Sequence, residues 1–174
     1  MNRKTSTADT IYLLIAFAIM GILYYSSSMG YEEQNVQPLL HQWLENEPLR
    51  GLLERIEFTY AGSVVSVESS GYIAFIEFFI RKGAHFVSFF ALGLFWFLGL
   101  RNRVNNIYLT LLLSLMLTAG YASFDELRQN FHPNRTALMQ DVILDTVGGL
   151  TGILMAFFST GGSKRGKRKL RLTR

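Results

Sequence analysis

Long apolar runs separated by polar links set the hydrophobic pattern of this chain. Four runs lie at approximately residues 10–27, 83–100, 107–124 and 142–159, and His85 and Asp145 are their only acidic or basic side chains. The hydrocarbon core of a bilayer is about 30 Å thick, and a helix of about 17–25 residues crosses it. The pattern therefore predicts an all-α membrane protein with four transmembrane helices.

The links between these runs differ in length. Only residues 101–106 join the second and third runs, so these two helices should form an antiparallel hairpin. Residues 73–82 are apolar apart from Glu77 and the basic end, and two interpretations stay open for them: an extension of the second span or an interfacial helix. In the fourth run Gly148, Gly152 and Ala156 are spaced by four, which predicts a close helix–helix approach.

The long link at residues 29–71 is acidic and carries short apolar patterns. The spacing of Leu39, Leu40, Trp43 and Leu44 predicts an amphipathic helix on the membrane surface. Pro48 predicts the start of a second short helix over residues 49–58. Residues 62–71 are expected to form a loop or a short irregular strand.

Charge is distributed unevenly around the four runs. Of the 17 lysines and arginines, eleven fall on one side if the helices cross in alternation, and six fall on the other. The side with eleven holds both termini, so the positive-inside rule places both termini in the cytoplasm. We therefore expect a multi-pass protein of the cell membrane, with residues 29–71 and 125–140 outside.

The chain divides into a membrane domain at residues 1–160 and a basic cytoplasmic tail at 161–174. Beside a membrane exit, such a tail is interpreted as an anchor that contacts anionic lipid, and no nucleic-acid partner is expected. Arg3 and Lys4 precede the first run, but no convincing cleavage site follows it, so this run should remain a span. The absence of cysteine excludes disulfides and thiolate chemistry.

Polar residues cluster at one end of the last three runs, where ionisable groups mark candidate functional sites. These candidates are Lys82 and His85; Asp125, Glu126 and Gln129; and Arg135, Asp141 and Asp145. The alternative is a snorkelling lysine, a histidine bonded to backbone and carboxylates solvated at the interface. Asp145 lies a turn inside its run, so it should face protein or a wet cavity. If it serves a structural ion pair, its partner should be Arg135 or Lys82.

The residue types in these clusters allow several kinds of chemistry. Carboxylates and histidines suit a hard or borderline cation, but no HxxxH or HExxH pair is present, so no metal site is predicted and any cofactor is unknown. Ser123, His85 and Asp125 contain the groups of a hydrolase triad, yet Ser123 lacks the surrounding glycines of a nucleophile elbow.

Three ordered blocks resemble the signature of the VanZ-like family. Residues 81–86, RKGAHF, look like its K-x-x-H-F element. DELRQ at 125–129 with FHPNR at 131–135 resembles its D-E-x-x-Q-x-F-x-P-x-R block, and DVILDTVGG at 141–149 is similar to D-x-x-x-[DN]-x-x-G. Ser26 and Ser27 fit the serine pair of the family, although the glutamine and proline that often follow are absent.

The resemblance implies an integral membrane protein of the bacterial envelope associated with resistance to the glycopeptide teicoplanin. On this hypothesis an outer-facing site binds or modifies a lipid headgroup or a cell-wall precursor. Lys82 and Arg135 would hold phosphate or carboxylate, and Gln129, Asp141 and Asp145 would complete the binding groups.

If catalysis occurs, His85 with Asp125 or Glu126 would act as acid and base, and whether the protein is an enzyme stays open. Expected partners are membrane lipid and either a lipid-linked cell-wall precursor or the glycopeptide. The alternative is a non-enzymatic scaffold or binding protein whose polar clusters form a structural ion-pair network. A transporter fits less well, because the charges lie at the span edges and not at the midplane.

Reporter fusions test the predicted topology. A reporter fused after Asn105 should report the cytoplasm and one fused after Asn134 should report the outside, because the basic residues concentrate on the side of the termini. A cytoplasmic signal from the fusion after Asn134 would show that the predicted topology is wrong.

Overall fold

The structure is a computed structural model that describes residues 5–30, 32–131 and 137–161. Its elements are, in chain order, α1 (Thr7–Ser27), a 3-10 turn (Glu32–Gln34), α2 (Gln37–Trp43), α3 (Arg50–Leu53), β1 (Glu57–Tyr60), β2 (Ser63–Ser66), α4 (Val67–Ser70), α5 (Tyr72–Leu100), α6 (Ile107–Gln129) and α7 (Met139–Ser159). The predicted tail at 161–174 lies, apart from Gly161, outside the described residues.

Four helices, α1, α5, α6 and α7, are long and apolar enough to cross a membrane. Each contains one of the four predicted spans. Many of their outward-facing side chains, such as Leu14, Met116 and Phe158, are apolar and exposed, as a lipid-facing surface requires. The all-α membrane fold with four candidate spanning helices is therefore confirmed, with one small β-hairpin added.

Helix α5 decides between the two interpretations of residues 73–82, an extension of the second span or an interfacial helix. These residues continue the second span as one unbroken helix of 29 residues. Glu77 does not interrupt it, because its carboxylate is buried and its Oε2 accepts a hydrogen bond from Gln37 Nε2 at 2.7 Å. The Gln37 side chain of α2 thus provides a polar partner for Glu77, the residue that interrupts the hydrophobic pattern of this segment.

Helices α5 and α7 touch through their backbones. A Cβ built on Gly152 would lie 2.0 Å from the carbonyl oxygen of Phe90, and one built on Gly148 would lie 2.6 Å from that of Phe86. A Cβ on Gly93 would likewise lie 2.2 Å from the carbonyl oxygen of Gly149. Only glycine fits at such a distance, so the small-residue stripe predicted on α7 packs closely against α5.

Helix α6 packs on α7, and small hydroxyl residues lie on its buried face. Thr110, Ser114 and Thr118 are fully buried, and each donates its hydroxyl to the backbone carbonyl four residues earlier. Because these hydroxyls are satisfied within their own helix, they require no polar partner on α7. The Cγ2 atom of Thr118 fills the space that a side chain on Gly149 would occupy.

The helix predicted over residues 49–58 forms only in part, as α3, because residues 57 and 58 belong to β1. Leu49 adopts a left-handed conformation with φ 62°, and α3 ends at Leu53. Residues 57–66 form an antiparallel hairpin around Ala61 and Gly62, both with positive φ. Alternating aromatic and β-branched residues around a two-residue turn favour this hairpin over a helix.

The opposite end of the bundle is closed by Asp9. Its carboxylate caps α1 through the backbone N–H of Ser6 at 2.7 Å and accepts Asn102 Nδ2 at 2.9 Å. Arg103, in the same link between α5 and α6, donates to Thr10 Oγ1 at 2.7 Å. These contacts attach the first span to the α5–α6 connection.

Replacing Gly152 with alanine tests the backbone contact. The added Cβ meets a carbonyl oxygen that belongs to a helix backbone, so α5 and α7 must move apart. We expect Gly152→Ala to destabilise the protein by about 1–3 kcal/mol, measured by thermal unfolding in detergent.

Gly120→Ala is the matched control, because a Cβ at Gly120 meets nothing within 4 Å. It should be neutral or stabilising by up to about 1 kcal/mol through helix propensity. Equal stability of the two variants would contradict the contact.

Candidate functional site

The three predicted polar clusters meet where α6 ends and α7 begins, against the middle of α5. We call this group the polar cluster; its described members are Tyr60, Lys82, His85, Asp125, Glu126, Gln129, Asp141 and Asp145. Helices α5, α6 and α7 each supply part of it, and the hairpin supplies Tyr60. Arg135, the remaining predicted site residue, and His132 lie outside the described residues.

Lys82 and Asp141 join α5 to the first turn of α7. Lys82 Nζ lies 2.5 Å from Asp141 Oδ1, and the side chains are 22% and 15% exposed. Tyr60 donates its hydroxyl to the same oxygen. The Lys82 ammonium also lies 4.9 Å from the centre of the Tyr60 ring, a favourable cation–π distance. A lysine, a carboxylate and a phenol from three elements thus form one contact.

One turn deeper, His85 pairs with Asp145. His85 Nδ1 lies 3.3 Å from Asp145 Oδ2, and the two side chains are 31% and 2% exposed. Of the two partners predicted for Asp145, Lys82 pairs with Asp141 instead, and Arg135 lies outside the described residues. Because Lys82 and His85 are one turn apart on α5, and Asp141 and Asp145 one turn apart on α7, the pairs stack in register.

Helix α6 contributes Asp125, Glu126 and Gln129. Gln129 Nε2 donates to Asp125 Oδ2 at 3.2 Å, as their i, i+4 spacing predicts. Glu126 Oε1 accepts the backbone N–H of Leu138 at 2.6 Å, and Leu138 is the N-cap residue of α7. Glu126 therefore fixes where α7 begins and has a structural contact beyond the acid–base role predicted for it.

Electrostatic interactions connect the pairs into a single group. Asp145 interacts with His85, Asp125 and Asp141. Glu126 interacts with Asp141, Lys82 and His85. Burial raises the pKa of the Tyr60 hydroxyl, and the hydrogen bond to Asp141 raises it further, so Tyr60 stays a neutral donor at physiological pH.

Two oxygens of the polar cluster have no hydrogen-bond partner within the described chain. They are Asp125 Oδ1 and Asp145 Oδ1, and their residues are 1% and 2% exposed. A buried carboxylate oxygen without a donor is costly, so it marks a position where a ligand or water would bind.

The structure bears on three questions raised by the sequence: the partner of His85, the hydrolase triad and a metal site. His85 contacts Asp145, which was predicted as a binding residue, and not Asp125 or Glu126. Ser123 is exposed and donates its hydroxyl to the carbonyl of Ala119, so the triad with His85 and Asp125 does not form. No group of three or more histidines and acidic residues among the described positions is arranged to hold a metal ion.

Sequence reasoning missed Tyr60 and the role of Arg128. Tyr60 is distant in sequence from Asp141, and only the hairpin brings them together; the alternating pattern around Ala61–Gly62 was the available signal. Arg128 was counted only as a charge, yet it stacks 3.4 Å from the Tyr24 ring centre and donates to the Tyr24 carbonyl at 2.8 Å. It thereby attaches α6 to the end of α1.

Comparison with known proteins identifies one family for this chain. The family model described as VanZ/LLP1 matches residues 11–160, which is most of the chain. No curated protein and no solved structure matches the chain. The matched region contains every member of the polar cluster.

Charge removal at the Lys82–Asp141 pair tests the geometry of the cluster. Lys82→Gln leaves a carboxylate in a mostly buried position without its cation, so we expect a loss of about 1–3 kcal/mol in thermal unfolding measurements. Lys82→Gln with Asp141→Asn should recover part of this loss, because it leaves no unpaired charge.

The exposed pair of Arg50 and Glu54 provides the control, with N···O at 2.7 Å and side chains about half exposed. Arg50→Gln should change the melting temperature little, because solvent screens the pair. If both lysine and arginine variants behave alike, the Lys82–Asp141 contact does not stabilise the protein.

Proposed function

The chain belongs to the VanZ/LLP1 family, and from this membership we propose that its polar cluster binds, and by acid–base chemistry modifies, the headgroup of a membrane lipid or of a lipid-linked cell-wall precursor. One observation carries the proposal: partly exposed Lys82 and His85 lie next to buried carboxylates where three candidate spanning helices meet. Ionisable groups at such positions usually serve ligands.

Lys82 supplies the positive charge for an anionic group. Its ammonium carries three N–H donors, and Asp141 accepts one of them. The remaining donors would bind phosphate or carboxylate. Arg135 is the second cation that we propose for this role, in a bidentate fork.

His85 is the proposed acid–base group. Its Nδ1 is held by Asp145, which fixes the orientation of the ring, while the side chain stays partly exposed. A histidine oriented by a carboxylate on one nitrogen can exchange a proton through the other. Asp125 and Glu126, predicted as its acid–base partners, are buried carboxyl groups of the same cluster.

The location proposed for the site is the outer face of the cell membrane, with both termini in the cytoplasm. The distribution of basic residues supports it. There the site would meet lipids and precursors of the envelope. A change in these targets would alter sensitivity to teicoplanin, the phenotype that the family resemblance implies.

A structural scaffold is the second candidate. The observation in its favour is that Asp141 joins α7 to both α5 and the hairpin, through Lys82 and Tyr60. Ion pairs of this kind can fix the arrangement of helices without any ligand. The two candidates make different predictions for the pair formed by His85 and Asp145.

Neutralising this pair separates function from scaffold. For a working site, Asp145→Asn and His85→Gln should each abolish the teicoplanin phenotype while melting in detergent stays close to that of the wild type. The double variant should not regain resistance, because the acid–base pair is still missing. Melting temperature and drug sensitivity are measured on the same three variants.

The scaffold predicts the opposite result. Asp145→Asn should then cost stability on the order of 3–5 kcal/mol, as for a broken buried pair, and the double variant should recover fold and resistance together. Exposed Glu68→Gln is the control, since Glu68 lies outside the polar cluster. Recovery of resistance in the charge-neutral double variant would overturn the proposed function.

A further inference from the structure

The two unpartnered oxygens of the polar cluster suggest what kind of group the site accepts. Asp125 and Asp145 are each held through Oδ2, by Gln129 and His85, whereas both Oδ1 atoms are buried and bonded to no described residue. A carboxylate oxygen accepts hydrogen bonds and cannot donate them when ionised. A ligand that completes these residues must therefore bring N–H or O–H donors.

The charge balance of the cluster points in the same direction. Its described residues contain four carboxylates, Asp125, Glu126, Asp141 and Asp145, against the two basic side chains of Lys82 and His85. Lys82 is already paired with Asp141 and His85 with Asp145. If Arg135 added one further positive charge, the four carboxylates would still outnumber the three basic side chains. A cationic group would reduce the repulsion between Asp125 and Asp145.

The geometry favours an organic cation over a metal ion. Hard divalent cations take six or more oxygen ligands, or several waters with fewer protein ligands. The described residues contain no group of three or more histidines and acidic residues that could hold such an ion. A primary ammonium needs fewer partners, because its three N–H donors can each meet one acceptor.

We propose that Asp125 and Asp145 form a subsite for a primary ammonium group of the same ligand whose phosphate or carboxylate lies at Lys82. The ligand would then be zwitterionic. This inference rests on the proposed function and adds the chemical class of the ligand. Two sources carry this chemistry: an ethanolamine headgroup of a phospholipid, and the free amine of a soluble peptide.

A lipid series tests the subsite on the wild-type chain. Phosphatidylethanolamine, its N,N-dimethyl form, phosphatidylcholine and phosphatidylglycerol with identical acyl chains are titrated onto the purified protein in detergent, and binding is followed by native mass spectrometry. N-methylation keeps the positive charge and removes the N–H donors one by one. We expect phosphatidylethanolamine to bind about tenfold or more tightly than phosphatidylcholine, with the dimethyl form between them.

Variants connect this preference to the two aspartates. Asp125→Asn and Asp145→Asn should each reduce the preference for phosphatidylethanolamine over phosphatidylcholine. Glu68→Gln should retain the preference. Nα-acetyl-lysine, which carries a primary ammonium and a free carboxylate, is the soluble probe: binding of either the lipid or this amine with loss in both aspartate variants supports the subsite and identifies its source.

The outcomes distinguish this inference from the proposed function. Equal binding of phosphatidylethanolamine and phosphatidylcholine, with no binding of the soluble amine, overturns the ammonium subsite. If phosphatidylglycerol still binds and Lys82→Gln removes that binding, the headgroup site stands without the subsite. Failure of every lipid and of the amine to bind overturns both.

Discussion

The contact between the backbones of α5 and α7 is the constraint on which the rest of the structure depends. Gly148 and Gly152 bring α7 against the carbonyl groups of Phe86 and Phe90, at distances where no side chain fits. Because lipid tails are as apolar as leucine, close packing of small residues drives association between spanning helices. This contact fixes the rotation and height of α7 on α5, and so decides which polar side chains face each other.

The two ion pairs follow from that register. Asp141 and Asp145 lie on α7 above the glycines, and each meets a basic residue one turn apart on α5. Glu126 holds the first residue before α7, and Tyr60 reaches Asp141 from the hairpin. Within the part of the chain that the structure describes, the same arrangement leaves buried oxygens on Asp125 and Asp145 without hydrogen-bond donors. If these residues only stabilised the fold, hydrogen-bond donors for both oxygens would make the protein more stable. The two oxygens therefore support a ligand-binding role for this part of the molecule.

Most of the fold could be predicted from the sequence because the physical signals for it are local. Spans follow from apolar runs of the right length. The glycine spacing on α7 predicts a close contact with another helix but does not identify that helix. The pairings within the polar cluster were not predictable in this way, since Lys82 had two aspartates within reach and only the helix register selects Asp141. The helix expected after Pro48 ends at Leu53 and does not extend to residue 58, because the strand pattern around Ala61 and Gly62 was not weighed against it.

The most direct test measures the NMR signal of His85 Nδ1 in variants that change either its partner Asp145 or the contact between α5 and α7. A two-bond ¹H–¹⁵N spectrum of the histidine-labelled protein in detergent reports the environment of Nδ1, and His85→Gln identifies its signal. Asp145→Asn should shift the Nδ1 signal because it removes the carboxylate charge. Gly148→Ala should shift it as well, since the added Cβ displaces Phe86 next to His85, whereas Gly120→Ala should not. An Nδ1 signal unchanged in both Asp145→Asn and Gly148→Ala would contradict the claim that the glycine contact positions this pair.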